Sequence, residues 1–198
     1  MPLLSTIVSN INAQIQAKLN DQAFQVSQYN GITIPITRTS SKDGKTSTFP
    51  AVRIPNSKDG KMVILDDKYN LIAYHKLITN NYSIVETDDF GDDYSIIKQV
   101  TQMQLVIWAQ SSKIGFLAEH ELEAFISGAI FGEMKLKPFY TLFVAPTSTN
   151  FDKNVIFNQE HKGVDNILQN DHLYFTINYT IESTFDRKCF SICDCTDV

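Results

Sequence analysis

Leu173-Tyr174-Phe175-Thr176-Ile177-Asn178-Tyr179-Thr180-Ile181-Glu182 decides the fold. Large apolar residues stand at every second position and Thr, Asn, Tyr and Glu fill the gaps, the pattern of a strand with one packed face. A second run, Ile96 to Ala109, repeats it: Met103, Leu105, Ile107 and Ala109 share one face, and Gln102, Gln104, Val106 and Trp108 share the other. Two long alternating strands require a sheet, and such a sheet needs helices or a second sheet to cover its apolar face.

Two helical patterns answer that need. Leu4, Ile7, Val8, Ile11, Ile15 and Leu19 recur with helical period, opposite a face of Asn, Gln and Ser. A second helix is predicted from Lys113 to Phe131, with Ser111 or Ser112 as N-cap and Gly132 as stop. Its buried face is expected to hold Ala118, Leu122, Phe125, Ile126 and Ala129.

Between the helices the signals are extended. Ile32, Ile34 and Ile36 alternate with Thr33, Pro35 and Thr37, and the string Ser-Lys-Asp-Gly-Lys occurs at 41–45 and again at 57–61. Asp-Gly between extended runs marks a tight hairpin turn, so a three-stranded meander over 31–40, 46–55 and 61–65 is expected. Pro35, Pro50 and Pro55 cannot donate ladder hydrogen bonds, which places these strands at an edge. Thr39 to Thr48 holds no large apolar residue and is expected to project as a solvated arm or to lie along a partner. Leu71 to Ile78 suits a strand slightly better than a helix, and a further strand at Thr141 to Ala145 should stop at Pro146. The sum is an α+β fold: a mostly antiparallel sheet packed by two helices. It forms a single domain over 1–198, with 31–65 as a β-arm insertion and 185–198 as a tail.

Composition narrows the function. The 198 residues are 43% hydrophobic and 20% charged, with a net charge of −5. That balance argues against a protein that coats nucleic acid. No basic leader opens the chain and no apolar stretch approaches the ~20 residues of a membrane span, so a reducing cytoplasm is the expected site of folding. With only 8 Gly, neither phosphate-cradling motif occurs. Ser127-Gly128 lies inside a helical pattern and makes no nucleophile elbow. His75, His120, His161 and His172 read as surface or strand-end residues, and Glu119 with Glu123 as a solvated helix face. Cys189, Cys193 and Cys195 match no zinc spacing, and same-strand neighbours are poorly placed to bridge. They read as reduced structural thiols, and no cofactor is expected.

Charge is nonetheless uneven. Residues 1–62 carry 7 basic and 3 acidic side chains, whereas 63–198 carry 10 and 19. The arm is basic and the body acidic, a pattern suited to head-to-tail contact between copies. The most acidic stretch holds five carboxylates in eight residues: Glu86, Asp88, Asp89, Asp92 and Asp93. Clustered oxygens can suit calcium, but the alternation of a calcium loop is missing, which leaves a solvated loop or a repulsive surface.

In order of parts the chain resembles the tail-terminator or tail-completion neck proteins of double-stranded DNA bacteriophages. The parts are the helix Leu4 to Leu19, a strand-rich half with a long hairpin, and the Trp-bearing strand Val100 to Trp108. The helix Phe116 to Phe131 and the strand Leu173 to Glu182 follow. The β-arm and the Cys-bearing tail go beyond that pattern. The resemblance implies a homo-oligomeric ring in the virion around a channel for DNA, bound to other neck, tail or portal-associated proteins, without catalysis, cofactor or membrane. In such a ring the subunit-contact candidates are Thr39, Lys42, Asp43, Gly44, Lys45 and Thr48 of the arm. The acidic cluster is the candidate for a lumen surface that repels DNA. Two other classes stay open: a sheet-rich receptor-binding module with Tyr174 or Trp108 in a groove, and a small hydrolase.

Overall fold

A computed structural model describes residues 2–19, 26–53, 60–87, 95–115, 118–165, 168–169 and 171–186. The two strands that decide the fold are β5 (Ser95–Gln110) and β8 (His172–Asp186), paired antiparallel without a break from Ile96 opposite Asp186 to Gln110 opposite His172. Around them one eight-stranded sheet is ordered β3-β2-β1-β4-β5-β8-β7-β6. The added strands are β1 (Ser27–Thr39), β2 (Thr46–Arg53), β3 (Gly60–Met62), β4 (Leu71–Thr87), β6 (Gly132–Glu133) and β7 (Thr141–Asn150). Every pairing is antiparallel except β1 with β4. The α+β class and the antiparallel character hold. Leu71–Ile78 is strand, and it continues to Thr87.

One face of the sheet carries the main core. Leu4, Ile7, Val8, Ile11, Ile15 and Leu19 of α1 (Pro2–Lys18) and its last turn are all buried, with Leu122, Ile126 and Ile130 of α3 (Glu119–Ile130). They cover Met103, Leu105, Ile107 and Ala109 of β5 and Leu173, Phe175, Ile177, Tyr179 and Ile181 of β8. Each apolar side chain buried this way contributes about 1.5–3 kcal/mol relative to an exposed one, which is why alternation in these strands is so regular.

Four helices occur among the described residues, not two. The predicted helix over 113–131 is divided: α2 (Ser111–Ile114) ends at Gly115, whose φ of 74° is left-handed, and α3 begins at Glu119. Neither Ser111 nor Ser112 caps a helix. Their hydroxyls donate instead to the Asp171 backbone carbonyl (2.8 Å) and Asp171 Oδ2 (3.2 Å), tying this turn to the start of β8. Phe125 is not part of the buried face, and the Lys18 ammonium sits 5.4 Å from its ring centre. Pro146 does not end β7: the strand runs on to Asn150, and the proline is accommodated where the register slips between Pro146 and Ser148.

The fourth helix, α4 (Lys153–Glu160), lies on the other face of the sheet. Asp152 caps it by accepting from the Val155 amide at 3.1 Å. Ile156 and Phe157 build a second, smaller core with Val63, Leu65, Ile72, Tyr74, Val106, Trp108 and Tyr174. So β5 and β8 are packed on both faces at this end of the sheet, where one packed face was expected.

Three antiparallel strands of the expected meander, β1, β2 and β3, lie at one edge; β3 is shorter than the expected 61–65, residues 54–59 with most of the second turn lie outside the described residues, and the base of the arm is anchored within the chain. The Thr48 amide donates to the Lys162 carbonyl (2.7 Å) and the Ser47 hydroxyl to the Gly163 carbonyl (2.8 Å), in the turn after α4. Gly163 has φ 72°, and a Cβ there would lie 2.4 Å from the Thr46 carbonyl oxygen. Gly163→Ala should therefore destabilise the protein by about 2–3 kcal/mol, from strain plus the clash. Gly44→Ala, at φ 69° with nothing within 4 Å, should cost only the left-handed backbone, about 1–2 kcal/mol. Urea unfolding of the two variants checks the order.

Candidate assembly surface

The two longest hairpins part at one point. The last pair between β1 and β4 is Thr33 opposite Lys76. Beyond it β1 runs on with β2 alone, and β4 runs on with β5. The sheet thus forks: the arm (34–51) separates as a two-stranded hairpin, and the other prong is the far end of the sheet, where β4 from Leu77 to Thr87 borders β5, which stays paired with β8.

Buried polar groups brace the fork. Thr33 Oγ1 donates to the His75 carbonyl at 3.0 Å. His75 Nε2 meets Asn12 Oδ1 of α1 at 2.8 Å, and Nδ1 meets the Tyr179 hydroxyl at 2.7 Å. Asn12 Nδ2 donates to the Asn30 carbonyl at 3.0 Å, which fixes Oδ1 toward the imidazole. An amide oxygen only accepts, so Nε2 carries the proton and the tyrosine donates to Nδ1. On the other face Lys76 forms an ion pair with Glu160, whose carboxylate is buried. A small cleft of about 180 Å³ opens beside it, lined by Thr33, Pro35, Thr48, Pro50 and Gln159. The Tyr74 and Tyr174 hydroxyls meet at 2.9 Å, and burial pushes both well above the ordinary phenol range. His75, His161 and His172 are thus buried, contrary to their expected surface placement, because the second core and α1 cover both faces here. The rings pack against neighbouring aromatic side chains: His75 on Tyr179, His161 on Phe157 and His172 on Trp108; among the described residues no cluster of three or more His, Cys, Asp or Glu is placed to hold a metal ion.

The arm brings together all the contact residues expected on it. Thr39 pairs with Thr46 and Thr48 with Thr37, their hydroxyls 3.2 and 3.3 Å apart. Lys42, Asp43, Gly44 and Lys45 make the turn. Asp43 accepts from the Lys45 amide at 3.2 Å, and its hydrogen bonds to Ser40 and Lys45 hold its carboxyl below the usual range. Arg38, Asp43, Lys45 and Phe49 line an open cleft of about 560 Å³ against Gly163 and Asp165. Of the acidic cluster, Glu86 lies in β4 opposite Ile96, while Asp88, Asp89, Asp92 and Asp93 fall outside the described residues, as do the three cysteines. The structure brings the arm residues together and does not join them to Glu86, which sits at the far end of the other prong.

The prong carries the surface that sequence reading missed. Ile78, Ile84 and Val85 are 51%, 62% and 54% exposed, and Leu77 and Tyr82 are also exposed. Ile78 and Val85 are the extra residues at two register shifts against β5, between Leu77 and Thr79 and between Ile84 and Glu86. The available signal was Leu77 to Thr87 itself, which mixes apolar residues with Thr, Asn and Ser but has no Lys, Arg or Pro. By contrast, Trp108 and Tyr174 are fully buried in the second core, so a ligand groove cannot be built on them.

The rest of the sheet face beyond α4 is polar and uncharged in its centre. Gln104 Nε2 donates to Asn178 Oδ1 and Asn178 Nδ2 to Ser148 Oγ, both at 2.9 Å, in a row across β5, β8 and β7. No helix of the described residues is long and apolar enough to cross a membrane. No family model matches the chain, and no curated protein matches it in sequence.

The braced fork makes a pH prediction. Burial lowers His75 to about 3 and His161 to about 4, against an ordinary value of 6.5. Both are neutral when folded, and unfolding lets them take up protons, so stability is full above about pH 6.5 and falls as the pH drops toward 3–4, by at most about 1.4 kcal/mol per pH unit for each histidine. Urea midpoints between pH 7 and 4 should follow this slope. His75→Gln should remove about one proton from it while lowering stability at pH 7.

Proposed function

We propose that the protein is a structural subunit of a bacteriophage neck or tail, a head–tail connector or tail terminator that assembles into a homo-oligomeric ring through which DNA passes. The observation that carries this reading is the far half of β4, beyond its last pair with β1, which lies at the margin of the β4-β5-β8-β7 sheet with Ile78, Tyr82, Ile84 and Val85 exposed. Monomeric soluble proteins seldom keep such residues grouped in the open. The order of helices and strands supports the same reading, and so does the basic arm, which a neighbour's acidic body can meet. The partners are further copies and the adjoining neck, tail or portal-associated proteins; the site is the virion; no catalysis or cofactor is called for. DNA in such a channel would be met without sequence-specific contacts. Glu86 and the neighbouring Asp88, Asp89, Asp92 and Asp93 then serve as a lumen surface that keeps phosphate from binding, since each Lys or Arg contact would strengthen it by releasing counterions.

Light scattering and negative-stain electron microscopy of the purified protein should give a mass several times that of one chain and closed rings with a central opening. A strictly monomeric protein at high concentration would overturn the ring. In assembled rings, replacing the five carboxylates by Lys should create DNA retention at low salt that fades as salt screens it. Unchanged retention would take the cluster out of the channel.

A further inference from the structure

Two groups of exposed apolar side chains stand at opposite margins of the same four strands, β4, β5, β8 and β7. On the β4 margin they are Ile78, Ile84 and Val85, each more than half exposed. On the β7 margin they are Phe131, Tyr140 and Phe143, 63%, 55% and 40% exposed. Phe131 is the residue before β6, and its ring meets that of Phe143 edge to face, 5.5 Å between centres. The two groups lie level with one another. Phe143, Glu182, Val100 and Asn81 form one row across the four strands, and Thr141, Thr184, Lys98 and Ser83 form a second. The first row reaches β4 between the bulges at Ile78 and Val85, and the second joins the chain neighbours of Tyr140 and Ile84. Three strand spacings, about 14 Å, separate the margins, so the groups cannot cover each other within one chain.

We infer that the β7 margin of one copy packs on the β4 margin of the next. This rests on the ring reading and names the two surfaces that meet in it. A two-fold contact of either margin with its own copy would cover one group and leave the other in water. A head-to-tail contact covers both, and a succession of such contacts closes into a ring when the rotation between copies allows. Aromatic side chains on one surface and aliphatic ones on the other suit the dry centre of an interface, where Phe and Tyr are enriched and charge is depleted.

Charge favours the same pairing. Past Met134, whose amide donates to the Leu142 carbonyl, the chain runs alongside β7 toward the row of Thr141. Lys135 and Lys137 are exposed there, against one acidic residue, Glu133. On the other margin β4 runs past Ile84 to the acidic residue Glu86, beyond the row of Ser83. Copies set side by side with their rows level bring the basic end of one margin toward the acidic end of the other. At the rim of an interface such charges steer the encounter and fix its register more than they add strength.

Substitutions on the two margins, studied in reducing buffer, test this. Ile84→Lys alters the β4 margin and Tyr140→Lys the β7 margin, each at an exposed position. Each should keep the cooperative unfolding of the parent and lose its assembly, running at the mass of one chain. Mixed in equal amounts, the two should form a species of two chains, because one intact margin of each kind remains. Phe131→Lys should pair in the same way with Ile84→Lys and not with Tyr140→Lys. Val155→Lys, at an exposed position on α4, should assemble to the parent's mass. Assembly of both Tyr140→Lys and Phe131→Lys to the parent's mass would overturn the inference while leaving the ring. So would a mixture of Ile84→Lys with Tyr140→Lys that stays at the mass of one chain. A monomeric parent would overturn the ring and this contact together.

Discussion

The unbroken pairing of β5 with β8 governs the rest of the molecule. Side-chain alternation in a strand allows no partial slip: shifting one strand by a residue would turn every Leu, Ile and Phe of that strand to the wrong face. Fifteen consecutive pairs without a bulge, from Ile96–Asp186 to Gln110–His172, set two faces that every other element must respect. The face with Leu105, Ile107 and Phe175 takes α1 and α3. The face with Trp108 and Tyr174 takes α4 over half its length, and no helix of the described residues covers the other half. The register breaks all lie outside this pair, in β4, β7 and between β1 and β4. Irregularity is confined to the strands that reach the sheet's margins.

Polar groups buried beside this axis orient the layers that the apolar contacts hold. A stripe of Leu and Ile holds α1 against the sheet but defines its position along that face loosely. The thread from Asn30 through Asn12 and His75 to Tyr179 crosses from β1 to α1 to β4 to β8, and any sliding of the helix leaves a buried donor or acceptor unmet at a cost of about 1–3 kcal/mol. Glu160 and Lys76 do the same for α4. Both devices meet at the root of the fork, so the divergence of arm and prong is determined by well-ordered chemistry and not by loop geometry.

Much of this was legible in the residues. The period-two runs of β5 and β8 and the stripe of α1 were read correctly because each repeats its signal over many residues. The arm was legible from Asp-Gly and from the absence of large side chains. What escaped had weak or misleading local signals. Helix α4 has eight residues and two adjacent buried apolar side chains, Ile156 and Phe157, too short to display a period. With it went the second core, so Trp108 and Tyr174 looked available on a half-exposed strand. Gly115 sat inside an apparently continuous helical pattern, and the serines that looked like caps were needed by Asp171. The prong was visible only in part: Leu71–Ile78 reads as strand, but nothing local says that β1 stops pairing at Thr33 while β4 continues to Thr87. That is a property of partners, and it decides which side of β4 is left as an edge.

The row from Gln104 through Asn178 to Ser148 has its own consequence. Each amide there spends donors and acceptors on the next strand, and no ionised group takes part. Such a strip holds three strands in line on the face beyond α4, with its dipoles already matched within the protein. Within the row there is no ion pair to break and no counterion to displace; charge returns to this face toward its far end, where Lys98 pairs with Glu182 at 3.0 Å.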